Sequence, residues 1–207
     1  MGSMIMPPRF IAQQLSHPKG LLGRVVGYLM NKHNAKMNAF VIEQLELTAT
    51  DRVLDIGFGG GAALPALLAR AGFVGGVDRS RDMVAAARAR FARNVASGQA
   101  AFREGTVEAL PFEGAAFGKV CTVNTVYFWH SLDAGFAEIH RVLAPGGRVV
   151  VGFLPKQHMD RMQMPPDIFT PRAPEEVTTA IARAGFSRVS IERPQPSTVW
   201  NVVVASL

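Results

Sequence analysis

The chain has 207 residues, 48% of them hydrophobic, which suits one ordinary domain with a full core and is too short for two. Twenty-two Lys and Arg face 16 Asp and Glu, giving a net charge of +6 and a pI near 10.1, yet the positive residues are scattered without any block of five like charges. That pattern reads as solvated surface in preference to a nucleic-acid or lipid face. The single Cys121 excludes an internal disulfide and a cysteine-based metal site, and no apolar run is long enough for a membrane-spanning helix, so the cytoplasm is the expected compartment.

Met1-Gly2-Ser3-Met4 reads as a cloning remnant ahead of a native start at Met4, with no secretory leader pattern behind it. Leu21, Leu22, Val25, Val26 and Leu29 recur at helical spacing, and the stretch up to Leu47 reads as two helices. Residues 4–50 are therefore expected to form a helical extension that caps the substrate. From Asp51 onward, β-rich apolar runs alternate with helical patterns, the signature of βαβ units feeding a parallel sheet. The predicted strands are 52–58, 72–78, 100–105, 119–124 and 147–153, with helices over 63–71, 82–94 and 132–143.

A Met- and Pro-rich insertion, 155–173, is expected to act as a lid. After it come a helix over 174–186 and two strands, 187–193 and 198–207, separated by Pro194 and Pro196. Their short connection permits an antiparallel hairpin, whereas a parallel return needs a crossover of a dozen residues or more. The predicted fold is α/β: a Rossmann-like three-layer sandwich over 51–207, with a seven-stranded, mostly parallel sheet ending in an antiparallel hairpin.

Asp55-Ile56-Gly57-Phe58-Gly59-Gly60-Gly61-Ala62 closes the first strand and opens a helix, where sheets of this kind bind adenosine-containing ligands. The loop alone fits the dinucleotide pattern as well. Asp55, two residues before the first glycine, suits the ammonium of S-adenosylmethionine (SAM) better than a pyrophosphate, and no Lys or Arg lies between Val53 and Ala69. Asp78, at the end of the second strand, is placed to accept both ribose hydroxyls, a task common to SAM and NAD sites. Ser80 is the better candidate to cap the helix that follows.

VLDIGFGGG, GVDRSRDMVAAARAR, EGTVEALPFEGAAFGKV and EIHRVLAPGGRVVVGF, in that order, resemble the class I SAM-dependent methyltransferases, in particular the branch of the ubiquinone and menaquinone biosynthesis methyltransferases. The resemblance covers roughly residues 50–155 and extends through the final hairpin. It implies SAM as methyl donor and S-adenosylhomocysteine as product. Gly57 and Gly59 would line the methionine part, Asp78 the ribose, and Arg79 and Met83 the adenine. Thr106 stands where the family usually has an acid that bonds the adenine amino group, and its hydroxyl also accepts. The backbone N–H of Val107 would read the adenine edge.

After the fourth strand the chain reads Asn124-Thr125-Val126-Tyr127-Phe128-Trp129-His130, a departure from the family's usual apolar, histidine-containing helix start. Asn124 is expected near the methionine group, and Tyr127 and Trp129 as an aromatic wall for the acceptor. Methyl transfer needs alignment in a dry pocket, and a base only where the acceptor is a protonated weak acid. His130 is the leading candidate for that base, with Tyr127 and His33 as further catalytic candidates; Asp133 is placed to orient a histidine. His158 and Met162, with Met159, Met164 and Phe169, give the insertion a soft apolar lining for substrate.

No His, Asp or Glu cluster has metal-ligand spacing. The expected partner is a small, hydrophobic or aromatic metabolite. Nucleic acid is disfavoured by the lack of a DPPY- or NPPY-type tetrapeptide. A membrane-surface enzyme acting on phospholipid or quinone, an NAD-binding oxidoreductase and a non-catalytic SAM-binding protein stand as alternatives.

Overall fold

The computed structural model describes residues 34–207. The stripe from Leu21 to Leu29, the first predicted helix and His33 lie outside them. The described chain runs α1 (Ala35–Gln44), β1 (Arg52–Ile56), α2 (Leu64–Leu68), β2 (Phe73–Asp78), α3 (Arg81–Arg90), α4 (Ala92–Ala96), β3 (Ala100–Glu104), β4 (Phe117–Val123), a 3-10 turn (Val126–Phe128), α5 (Leu132–Val142), β5 (Leu143–Phe153), α6 (Lys156–Arg161), α7 (Pro174–Arg183), β6 (Arg188–Glu192) and β7 (Asn201–Ser206).

One seven-stranded sheet has the order β3-β2-β1-β4-β5-β7-β6. β1 to β5 are parallel, and β7 inserts antiparallel between β5 and β6, with Val203 opposite both Val151 and Ile191. The mostly parallel sheet and its closing hairpin are as the sequence predicts. Most element ends shift by one to three residues, and two differences go further. β5 starts at Leu143, opposite Phe117, and the register then skips across Ala144-Pro145-Gly146-Gly147 to Arg148 opposite Lys119, so the APGG segment is a bulge inside the strand. The helix predicted over 82–94 breaks at Phe91, whose ψ of 31° is not helical.

Alternation along the strands sends side chains into two apolar layers. Val149, Val151 and Phe153 meet Phe136 and Ile139 of α5 and Val177 and Ile181 of α7 on one face. Val150 joins Val41 and Leu45 near α1, Leu64 and Leu67 of α2 and Val84 of α3 on the other. α1 lies so close to β5 that a Cβ on Gly152 would sit 2.9 Å from Val41 Cγ2. Ser131 caps α5 by accepting from the Ala134 N–H at 3.1 Å, and Glu176 accepts from the Ala173 N–H at 3.0 Å at the start of α7. These caps fix where each helix leaves the carboxyl edge of the sheet, and that edge carries the candidate site.

Candidate active site

β1 ends in Leu54-Asp55-Ile56, and the chain then turns through Gly57, Gly59 and Gly61 with φ of +71°, +52° and +69°, a region where glycine pays no Cβ penalty. The Gly57 N–H donates to the Val77 carbonyl of β2 at 2.7 Å. Asp78 Oδ2 accepts from the Gly59 N–H and Oδ1 from the Ser80 N–H, both at 2.8 Å, so one carboxylate ties the glycine loop to the start of α3. Ser80 caps that helix, accepting from the Met83 N–H at 3.4 Å. Met83 is buried and Arg79 exposed.

Asp55 and Asp78 are both buried, at 5% and 6% exposure. Burial pushes the Asp55 carboxyl up to about 7; the Asp78 charge adds to the rise, and a hydrogen bond from the Cys121 thiol opposes it. Across from this pair, the Thr122 hydroxyl donates to the Ile56 carbonyl at 2.8 Å and is bonded to the Thr125 hydroxyl, which also accepts from the Trp129 indole N–H at 3.1 Å. This hydroxyl chain joins the ends of β1 and β4.

Asn124 has φ of +56°. Its side-chain amide donates to Asn34 Oδ1 at 3.1 Å, and its Oδ1 lies 3.0 Å from the Tyr127 hydroxyl. That hydroxyl lies 3.1 Å from the Leu154 carbonyl and accepts from the Leu154 N–H. The two aromatic residues expected to wall the acceptor pocket are turned inward. The Tyr127 ring is 3% exposed and burial holds its phenol above the usual range; the Trp129 ring is 5% exposed and packs edge-on against Phe136 at 5.2 Å. Tyr127→Phe is expected to cost about 1–2 kcal/mol, because the Leu154 N–H loses its acceptor in a partly buried place; a lowered urea midpoint with an unchanged slope checks it.

The insertion is stitched over this turn. The Thr170 N–H donates to the Tyr127 carbonyl at 3.0 Å, the Lys156 N–H to the Arg172 carbonyl at 2.8 Å, and the Arg172 guanidinium to the Trp129 carbonyl at 3.1 Å. Met159 and Phe169 are buried, Met162, Met164 and His158 half-buried, and the Phe169 ring lies 4.8 Å from that of Phe128.

The methyltransferase-domain family matches residues 54–151. YdaC, an uncharacterized methyltransferase of Bacillus subtilis (strain 168), is 31% identical over 135 residues, covering 64% of this chain and 72% of that protein. The chain belongs to the class I SAM-dependent methyltransferases. The ubiquinone/menaquinone biosynthesis C-methyltransferase UbiE of Geotalea daltonii is 25% identical over 133 residues, 63% of this chain and 55% of that protein. Of other curated relatives the chain spans from 32% to 62%. A SAM-dependent methyltransferase from Mesorhizobium loti shares the fold at a TM-score of 0.67 and 19% identity, over 82% of this chain and 96% of that one.

In this methyltransferase the structure brings Asp55, Gly57, Gly59, Asp78 and Asn124 to one carboxyl edge of the sheet. His130 is exposed instead, on a groove of about 490 Å³ that it shares with Asp133, Arg172, Glu175 and Arg183. Its N–H donates to Glu108 Oε1 at 2.9 Å. Asp133, expected to orient a histidine, is paired with Arg183 at 2.9 Å. Thr106 is exposed, bridged to Ala109, and Val107 is buried.

Several residues that build the site escape a reading by motif. Glu138 accepts from the Leu110 N–H at 2.9 Å while Arg141 donates to the carbonyls of Leu110 and Phe112, so the EIHR helix clamps the LPF segment. The Arg141 guanidinium beside Glu138 holds that carboxyl below the usual range. Cys121 and Thr122 in β4 and Thr125 just after it carry one signal in the sequence, small polar side chains among the apolar Val120, Val123 and Val126.

Proposed function

We propose that this methyltransferase moves a methyl group onto a small, hydrophobic or aromatic metabolite held at the carboxyl ends of β4 and β5. The observation that carries the acceptor class is the insertion: Met162, Met164 and Ile168 stay half-buried and adaptable over a turn that main-chain bonds hold still.

The residues present fit the donor. Asp55 is a buried carboxylate whose ionisation no cation assists among the described residues, and a Cβ on Gly57 would fill the cradle beside Thr125. When bound, SAM supplies a methyl group already activated on a sulfonium. Asp55 takes its ammonium, and Gly57, Gly59 and Asn124 lie along its methionine part. Asp78 takes the ribose; a carboxylate accepts up to about four hydrogen bonds, so its loop bonds and the ribose bonds are compatible. Arg79, Met83, Thr106 and Val107 surround the adenine.

On the acceptor side, His158 and Met162 are the proposed contacts. Tyr127 and Trp129 act through the residues they hold, Asn124 and Thr125. Where the acceptor loses a proton, His130 receives it, with His33 as the other candidate. The chain's task is to align and to exclude water.

Methyl-labelled SAM and a metabolite extract from the source organism test this. Label in an apolar small molecule supports the proposal, and label confined to protein or nucleic acid overturns it. S-adenosylhomocysteine is expected to raise the thermal midpoint by several degrees and NAD to leave it unmoved. No helix of the described residues is long and apolar enough to cross a membrane.

A further inference from the structure

Cys121 has no part in the chemistry above, yet it stands against a carboxyl whose charge burial opposes. β1 and β4 pair so that Asp55 and Cys121 are direct register partners, and both are buried, at 5% and 2% exposure. The thiol donates its hydrogen to the Asp55 carboxylate. From β2, Asp78 faces the same place and repels it. From α3, the Arg90 guanidinium reaches the outer turn of the glycine loop, 4.0 Å from the position a Cβ on Gly61 would take, without entering the balance at Asp55. Burial and a neighbouring carboxylate thus oppose ionisation, and one weak donor favours it.

We propose that Cys121 is a positioning residue for donor binding: its thiol favours the ionised form of Asp55 and aims it, and so sets how far the pH can fall before a proton displaces the ligand's ammonium. The inference rests on Asp55 being the ammonium acceptor. In the ligand-free protein the Asp55 carboxyl titrates at about 7, so near neutrality it is divided between its two forms. Binding selects the carboxylate. The Asp55 O–H bond breaks, its proton passes to buffer, and the ligand ammonium keeps all of its own protons, so charge balances.

Calorimetric titration with S-adenosylhomocysteine across pH 5.5 to 9, in two buffers of different ionisation enthalpy, reads both affinity and proton release. Wild-type affinity is expected to fall about tenfold per pH unit below neutrality, with about one proton released per ligand at pH 6 and none at pH 9. Cys121→Ala removes the donor and moves the affinity midpoint up by about one pH unit, the worth of one hydrogen bond, with little change at pH 9. Cys121→Ser restores a donor and returns the midpoint to the wild-type value or below, a rescue that a packing role would not produce.

Asp55→Asn flattens the profile. A wild-type affinity independent of pH, or no proton release at pH 6, overturns the proposal even if a variant fails to fold. Superimposable wild-type and Cys121→Ala profiles overturn it as well. Failure of the ligand to bind at any pH overturns the cofactor reading and this inference with it, whereas pH-independent binding removes the inference alone.

Discussion

Asp55→Asn is expected to make the ligand-free methyltransferase more stable at pH 8 and to weaken S-adenosylhomocysteine binding on the order of a hundredfold. The sign follows from where the carboxyl titrates. Its ordinary value is 3.8 and its folded value about 7, so between those pH values the folded chain holds a proton that the unfolded chain has lost. Stability therefore drains away as pH rises through that window, and the full loss, about 4 kcal/mol, persists above it. Asn carries no such penalty, so the variant's advantage opens from about pH 4 to pH 7 and is constant beyond.

The ligand side runs oppositely, because a buried ammonium that loses its carboxylate forfeits about 3 kcal/mol. Denaturant midpoints for both proteins at pH 4 and pH 8 check the first half. Equal midpoints at pH 8 would refute it. On the proposed role of Asp55, the cost of this buried charge is visible only without the ligand.

Gly57→Ala is the second large effect. At φ +71° any side chain pays about 1–2 kcal/mol, and here the new Cβ lies 2.5 Å from Thr125 Cγ2. Thr125 cannot swing away cheaply, since its hydroxyl is held by Thr122 and by the Trp129 indole. A loss of about 3 kcal/mol or more, with S-adenosylhomocysteine binding abolished, is the expected outcome. Thr125→Ser in the same chain removes the obstructing methyl, keeps the hydroxyl, and is expected to recover about 1 kcal/mol. Gly59→Ala is the contrast: its φ is +52°, but a Cβ there meets nothing within 4 Å, so only the backbone cost remains. If the variants at 57 and 59 lose equal stability, the collision with Thr125 is not the cause.

Much of this was legible in order along the chain. Gly57, Asp78 and the alternation of strands and helices are local signals, because a tight turn, a strand-end carboxylate and a period of two or 3.6 each depend on near neighbours. The 198–207 strand and its antiparallel sense followed from a connection too short for a crossover. What stayed hidden depends on partners far away. Tyr127 and Trp129 suit a pocket wall and a core equally well by residue type; Leu154, 27 positions on, decides for the core at Tyr127, and the break between the 3-10 turn and α5 hides that Trp129 meets Phe136. The link between Cys121 and Asp55 is set by the register of β1 against β4, which no spacing reveals. The same holds for Glu138 and Leu110, 28 positions apart.

The insertion is fastened to the turn after β4 by the Thr170 N–H, which donates to the Tyr127 carbonyl, and by the Arg172 guanidinium, which donates to the Val126 and Trp129 carbonyls. None of these bonds uses the side chain of Met162, Met164 or Ile168. Substitutions at Met162, Met164 or Ile168 therefore change what the segment presents without changing where it lies, and the donor half of the site does not feel them. On the acceptor role proposed for it, the segment is a page that can be rewritten while its binding stays intact, so a change of acceptor need not disturb the donor.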